Sequence, residues 1–260
     1  DDLIGRPVLK HVHPEDRPLV EQRIAFLRLG PGTVPVVEQR LVALDGRVID
    51  VDAQAASYYS NGKLEIQVVC RDITARKKVE QDLQRHVRYT EFSAAVGLGL
   101  AQSRTVPEML QCCADAMVNH LNVTFARVWT VNEGETCLEM QASAGACEQL
   151  DELLTRVEFG QQTIGQIAVQ KTSLVTNSVF EHLQFDDGDW VRSQDLGSFA
   201  GFPLLVDGQC HGVLAVFSRD PLDNDLLDCL AMAANGMAQN IERKNAANQL
   251  ALLNEIGRAH

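Results

Sequence analysis

The chain has 260 residues with 35 acidic and 23 basic side chains, a formal net charge of −12, and a composition that is 45% apolar and 22% charged. Those proportions exclude a disordered chain and suffice for more than one hydrophobic core. Residues 1–85 hold 13 acids and 13 bases whereas residues 86–260 hold 22 and 10. The whole imbalance lies in the second part, whose negative field disfavours nucleic acid and anionic lipid as generic partners.

The first element is a helix: Pro14 in an opening turn, followed by Glu15 and Asp16, leads into Leu19, Val20, Ile24, Leu27 and Leu29. Proline has no amide hydrogen to lose there, and acids suit the positive end of the helix dipole. Strands are expected at Val36–Leu44, Val48–Tyr59 and Leu64–Ile73, joined at Asp45-Gly46 and Asn61-Gly62, pairs that supply the positive φ angles of tight hairpin turns. A charged helix runs from Ala75 to about Ala95, and a second, with Leu110, Ala114, Met117, Val118 and Leu121 at helical spacing, from Val106 to Leu121. Strands Phe125–Val131 and Leu138–Ala144 follow, then a short helix at 163–170, a short strand at Ser173–Thr176 and a polar stretch from Asn177 to Gly197. Strands Ser198–Val206 and His211–Ser218 meet at Asp207-Gly208. A long helix occupies Leu222–Gly257, with Leu226, Leu230, Ala233, Met237 and Ile241 on one face and four aspartates near its start.

The seven cysteines form an odd count without CxxC spacing, which argues against a disulfide framework or zinc site and fits a reducing, cytoplasmic setting. Cys112 and Cys113 read as small buried hydrophobes of a helix. No apolar run approaches the roughly 18 residues that span a bilayer. The sequence opens in mid-pattern without a methionine or signal peptide, so it reads as a piece of something longer.

His13-Pro14-Glu15-Asp16-Arg17, the two glycine hairpins and the closing Val69-Cys70-Arg71-Asp72-Ile73-Thr74-Ala75-Arg76-Lys77 together resemble the C-terminal part of a PAS domain with its PAC motif, without the opening strands of that fold. Further along, Phe159-Gly160-Gln161-Gln162-Thr163-Ile164-Gly165, Leu174-Val175-Thr176-Asn177, Gly197–Leu205 and Val206–Val216 resemble a GAF domain. The resemblance implies an α+β chain of two sensor modules, each an antiparallel β-sheet flanked by helices, joined by a long signalling helix. Its boundaries are a partial PAS/PAC domain at 1–74, a connecting helix at 75–96, a GAF domain at 97–243 and the start of a further connecting helix at 244–260. It also implies a bacterial signal-transduction protein, a histidine kinase foremost, with a structural dimerisation scaffold or the regulatory segment of a diguanylate cyclase or transcription activator as alternatives.

No catalytic arrangement emerges from the spacing, no metal set is complete and no cofactor is specified. His11-Val12-His13 lacks a third ligand nearby, and Gly97-Leu98-Gly99 lacks the continuation and lysine of a phosphate loop. Cys210-His211 has the letters of bilin attachment but enters a strand straight from a hairpin. The ligand-facing candidates are His182, Phe185, Asp187, Trp190, Arg192 and Phe199, in a segment that mixes aromatic rings with polar groups as a small-molecule pocket does. A surface loop in which Phe185 and Trp190 plug the core is the other reading of that segment. If a ligand binds, the acids there favour a cation or a polar neutral molecule over a phosphate. The helices add a homodimer as the expected partner: Val79, Leu83, His86, Thr90, Ser93 and Gly97 follow a 4-3 spacing, as do Ala246, Leu250, Leu253 and Gly257, a stripe that reads equally as one-sided packing on the domain's own sheet. Nucleic acid and direct membrane contact are not expected.

Overall fold

A computed structural model describes residues 4–132, 134–145, 155–179 and 195–258, and side chains up to 247 together with that of Leu250. Contacts divide the chain into two compact units, Asp1–Arg85 and His86–His260. In the first, a turn of 3-10 helix at Pro14–Asp16 runs into α1 (Arg17–Leu27), followed by β1 (Gly32–Val42), β2 (Val48–Ser60), β3 (Lys63–Asp72) and the start of α2 (Thr74–Gln102). The three strands form an antiparallel sheet in the order β1-β2-β3. Both hairpin glycines take the positive φ their turns require, Gly46 at 87° and Gly62 at 75°. β1 begins before the expected Val36, at Gly32, because a bulge between Val34 and Val37 absorbs Pro35, which has no amide hydrogen for the ladder. One face of the sheet is covered: Leu27, Val34 and Ala55 are buried together, with Ile66 packed against them.

In the second unit α3 (Val106–Leu121) opens with a reciprocal capping box between Thr105 and Glu108 and ends at Asn122, which takes a left-handed φ of 56°. There follow β4 (Phe125–Val131), β5 (Cys137–Ala144), β6 (Arg156–Glu158), α4 (Gln162–Gln170), β7 (Leu174–Thr176), β8 (Ser198–Val206), β9 (Gln209–Ser218) and α5 (Asn224–Arg258). The strands make an antiparallel sheet, six-stranded among the described residues, in the order β6-β5-β4-β9-β8-β7. Side chains alternate across it. Ala126, Val128, Leu214 and Val216 join Phe92, Met109, Met117 and Met237 in a core shared with α2, α3 and α5. Phe125, Trp129, Val213, Ala215 and Phe217 point the other way, where Ile164 and Ile167 of α4 meet them. A sheet apolar on both faces and covered on both is why these strands read as nearly continuous hydrophobic runs.

Vicinal Cys112 and Cys113 part company in α3: Cys113 is buried and Cys112 is exposed. Successive helical residues point about 100° apart, so only one of two neighbours faces the core. No described helix is long and apolar enough to cross a membrane.

Candidate functional site

Among the described residues one ligand candidate, Phe199 of β8, lies on the α4 side of the second sheet. That face is formed by alternate residues of the central strands β4 and β9, and α4 packs against it. Gly201 of β8 lets α4 come close, since a Cβ there would collide with Ile167 and the Phe199 ring. Phe199 is fully buried and meets Phe217 edge-on, with ring centroids 5.0 Å apart. It is therefore a core residue of that face. The other five candidates, His182, Phe185, Asp187, Trp190 and Arg192, lie outside the described residues.

The described part of this face contains a charge that the sequence reading missed. Arg127, in the middle of β4, is 1% exposed. Its Nη1 donates to the carbonyl oxygens of Ala126, at 3.0 Å, and of Ala144. The guanidinium also lies 5.5 Å from the centre of the Phe125 ring, a cation–π distance. This planar cation is fixed by carbonyls and an aromatic ring, on the same side of the strand as Phe125 and Trp129, so it is held in one orientation within the sheet. The signal was present in Phe125-Ala126-Arg127-Val128-Trp129, where an arginine interrupts a central-strand pattern on the same parity as two aromatics.

Cys210 sits at the hairpin end of β9, and its thiol donates to the Gly212 carbonyl at 3.2 Å. Burial pushes its pKa up, which keeps it a thiol rather than a nucleophilic thiolate. His211 follows at the bulge in β8–β9 pairing, and its Nε2 is buried with no hydrogen-bond partner among the described residues. In the first unit His11 and His13 flank Val12, which bridges to Leu41; the His13 amide donates to the Arg40 carbonyl, and the residue precedes the Pro14 turn.

Asn177, directly after β7, ties the far edge of the sheet to the approach to α5. Its Oδ1 accepts from the Leu222 amide at 2.9 Å and its Nδ2 donates to the Leu222 carbonyl at 3.5 Å. Asp223 then caps α5, its Oδ1 accepting from the Leu226 amide at 2.9 Å and from the Tyr89 hydroxyl of α2 at 3.2 Å. The edge strand β7 and the start of α5 are thus tied through a side chain that belongs to neither core.

A family model for the GAF domain matches residues 103–242. The chain belongs to the GAF family. Among solved structures, the GAF domain of a phosphoenolpyruvate-protein phosphotransferase from Coxiella burnetii is 14% identical at a TM-score of 0.54, with 64% of this chain and 98% of that one covered. A methyl-accepting chemotaxis protein segment is 22% identical at a TM-score of 0.50, with 58% and 98% covered. Free methionine-R-sulfoxide reductase of Neisseria meningitidis, in complex with its substrate, is 19% identical at a TM-score of 0.50, with 61% and 93% covered. At these identities the likeness establishes the fold alone. No curated protein sequence matches the chain.

Proposed function

We propose that the chain is a sensory and regulatory PAS–GAF segment of a bacterial signal-transduction protein with a histidine kinase output, relaying a signal through dimeric helices. The observation that carries this reading is that long helices flank the family match, α2 lying wholly before it and α5 continuing beyond it to Arg258. Both present large apolar side chains to solvent: Val79, Leu83, Val87 and Leu98 on α2, and Met232 and Leu250 on α5. Apolar side chains on long polar helices are what a second copy of the chain would cover. The three-stranded sheet that leads through Asp72-Ile73-Thr74 into α2 supports the PAS part of the reading. In the GAF part the ligand face is the α4 side of the second sheet, with Arg127 as its fixed charge and Trp190 as its sequence candidate.

Two measurements test this. Sedimentation of the wild-type chain should show a dimer, and Val87→Glu should yield a monomer that keeps the helical and sheet signals; a monomeric wild type removes the dimeric relay. Thermal unfolding against a panel of small carboxylates, amines and neutral metabolites should reveal a stabilising ligand whose effect disappears in Trp190→Ala. A dimer that no ligand in the panel stabilises points instead to a structural scaffold.

A further inference from the structure

The outer face of the first sheet contains an arrangement that ordinary strand pairing disfavours. Glu38 of β1 and Asp52 of β2 are direct cross-strand partners, and Asp50 stands two residues along β2 on the same face; Arg40 lies opposite Asp50 but gives its guanidinium to Glu15 and Asp16, and Arg71 of β3 lies opposite Asp52. Like charges set opposite each other in an antiparallel pair repel and weaken the pairing. Here two cations from the first turn of α2 lie among them. Arg76 reaches Glu38 at 3.0 Å and Asp52 at 3.4 Å, and Lys77 reaches Asp50 at 2.9 Å and Glu38 at 3.1 Å. Among the described residues, each of the three acids takes its ion pairs from α2.

The backbone supplies a pivot for the same helix. The Ile73 amide donates to the Asp50 carbonyl at 2.9 Å, the Asp50 amide donates to Thr74 Oγ1 at 3.2 Å, and Asp72 Oδ1 accepts from the Thr74 amide at 2.8 Å. Ile73 itself is 4% exposed. The junction is thus stitched by one backbone and two side-chain-to-backbone hydrogen bonds around a buried side chain, whereas further along the first turn the attachment is made of partly exposed ion pairs. Such pairs are individually weak and easily exchanged for water.

We propose that Arg76 and Lys77 are an electrostatic latch, holding the first turns of α2 over the like-charged Glu38–Asp52 pair and the neighbouring Asp50 so that the helix has a docked and a released state. Docking α2 relieves the repulsion between β1 and β2; releasing it restores that repulsion. Strain in the β1–β2 pair and the position of α2 are consequently coupled in both directions. A disturbance on the covered face of the sheet that alters the spacing of these strands is felt by α2 without touching it. The latch lies within the first unit and stands whether or not the helices dimerise.

Hydrogen exchange on the full chain tests it. In the Arg76→Gln/Lys77→Gln variant, amides of residues 77–82 in α2 and the β1–β2 ladder amides around Glu38 and Asp52 should both exchange about tenfold faster than in wild type. Adding Asp52→Asn removes the like-charge pair and should return the strand amides to wild-type rates while α2 stays fast. That split between strand and helix is the signature of the latch. Unchanged exchange in the double variant overturns it, as does a triple variant in which the strands remain fast. Should the double variant lose the sheet altogether, the triple variant, which keeps the neutralised pair, carries the test: a protected ladder supports the latch and an unprotected one refutes it.

Discussion

At the scale of single residues, Arg127 is a buried charge tied to two carbonyls in the second unit. Truncating it to alanine leaves the Ala144 carbonyl without that donor and opens space beside the Phe125 ring. Arg127→Ala should cost about 2–4 kcal/mol in urea unfolding, and Arg127→Lys, which keeps charge but not the planar fork, should recover part of it. The cysteines divide sharply by position. Burial and the neighbouring Cys112 thiol push Cys113 up to about 12. A thiol reagent applied to the native protein at mildly alkaline pH should label Cys112 and leave Cys113 untouched until denaturant is added. Labelling of both at equal rates would place α3 differently.

Asp16 gives the first unit an acid-sensitive contact. Arg40 donates to both of its oxygens, at 2.8 and 3.0 Å, and the side-chain hydrogen bond from Arg40 holds its pKa below the ordinary aspartate value. A carboxyl whose pKa is lowered in the folded state contributes stability that is present above its unfolded value and lost as pH falls through the folded one. Wild type should therefore exceed Asp16→Asn in first-unit stability near neutral pH, and the gap should close as pH drops below about 4. A constant gap would show that the contact acts by shape rather than charge.

At the scale of elements, what the sequence reveals depends on whether the local pattern or a distant partner decides the structure. β4 and β8 are legible to the residue because apolar runs end at polar turns, Asp207-Gly208 among them. β6 was not foreseen: it is three residues long and exists as the partner of Cys137–Glu139. The sequence reading ends the helix before Gly97-Leu98-Gly99, yet α2 continues to Gln102. The reason is tertiary. A Cβ on Gly99 would lie 3.0 Å from the Cβ of Cys112, so the glycine lets α2 close on α3, and packing outweighs the intrinsic penalty of about 1 kcal/mol. Arg127 was hidden because its parity acquires meaning only once the two faces of the sheet are distinguished. The segment holding most of the ligand candidates lies outside the described residues, so its chemistry rests on sequence.

Asn177 tests how one element is tethered to another. Asn177→Ala cuts the tie between β7 and the start of α5. Its effect should be local: faster amide exchange at Leu222 and the α5 cap, with little change in the β4–β9 ladder. A uniform rise in exchange across the sheet would mean that Asn177 supports the whole unit instead.

At the scale of the molecule, the two units differ in how they are held. The second has a sheet buried on both sides; the first has a sheet with one covered face, and its remaining face is managed by charge. High salt should separate them. Raising ionic strength screens half-exposed ion pairs and leaves apolar burial intact or strengthened. Exchange in the first unit should consequently rise between low and moderate salt while the β4–β9 ladder holds or slows.

The pairing of β4 with β9 also sets an order of events. Phe125 pairs across the sheet with Phe217, whereas β4–β5 and β8–β9 are hairpins between sequence neighbours. During synthesis β4 and β5 emerge long before the strand that completes the centre of the sheet, and α5, which closes the helix side, emerges last. The two hairpins close short loops, whereas the β4–β9 union closes a long one and carries the larger loop-closure entropy. Between β5 and β8 the chain leaves the β4–β9 pairing and returns to it, adding β6 and β7 at the two edges of the sheet and α4 on one face, so those elements are held by a centre that their own residues do not build.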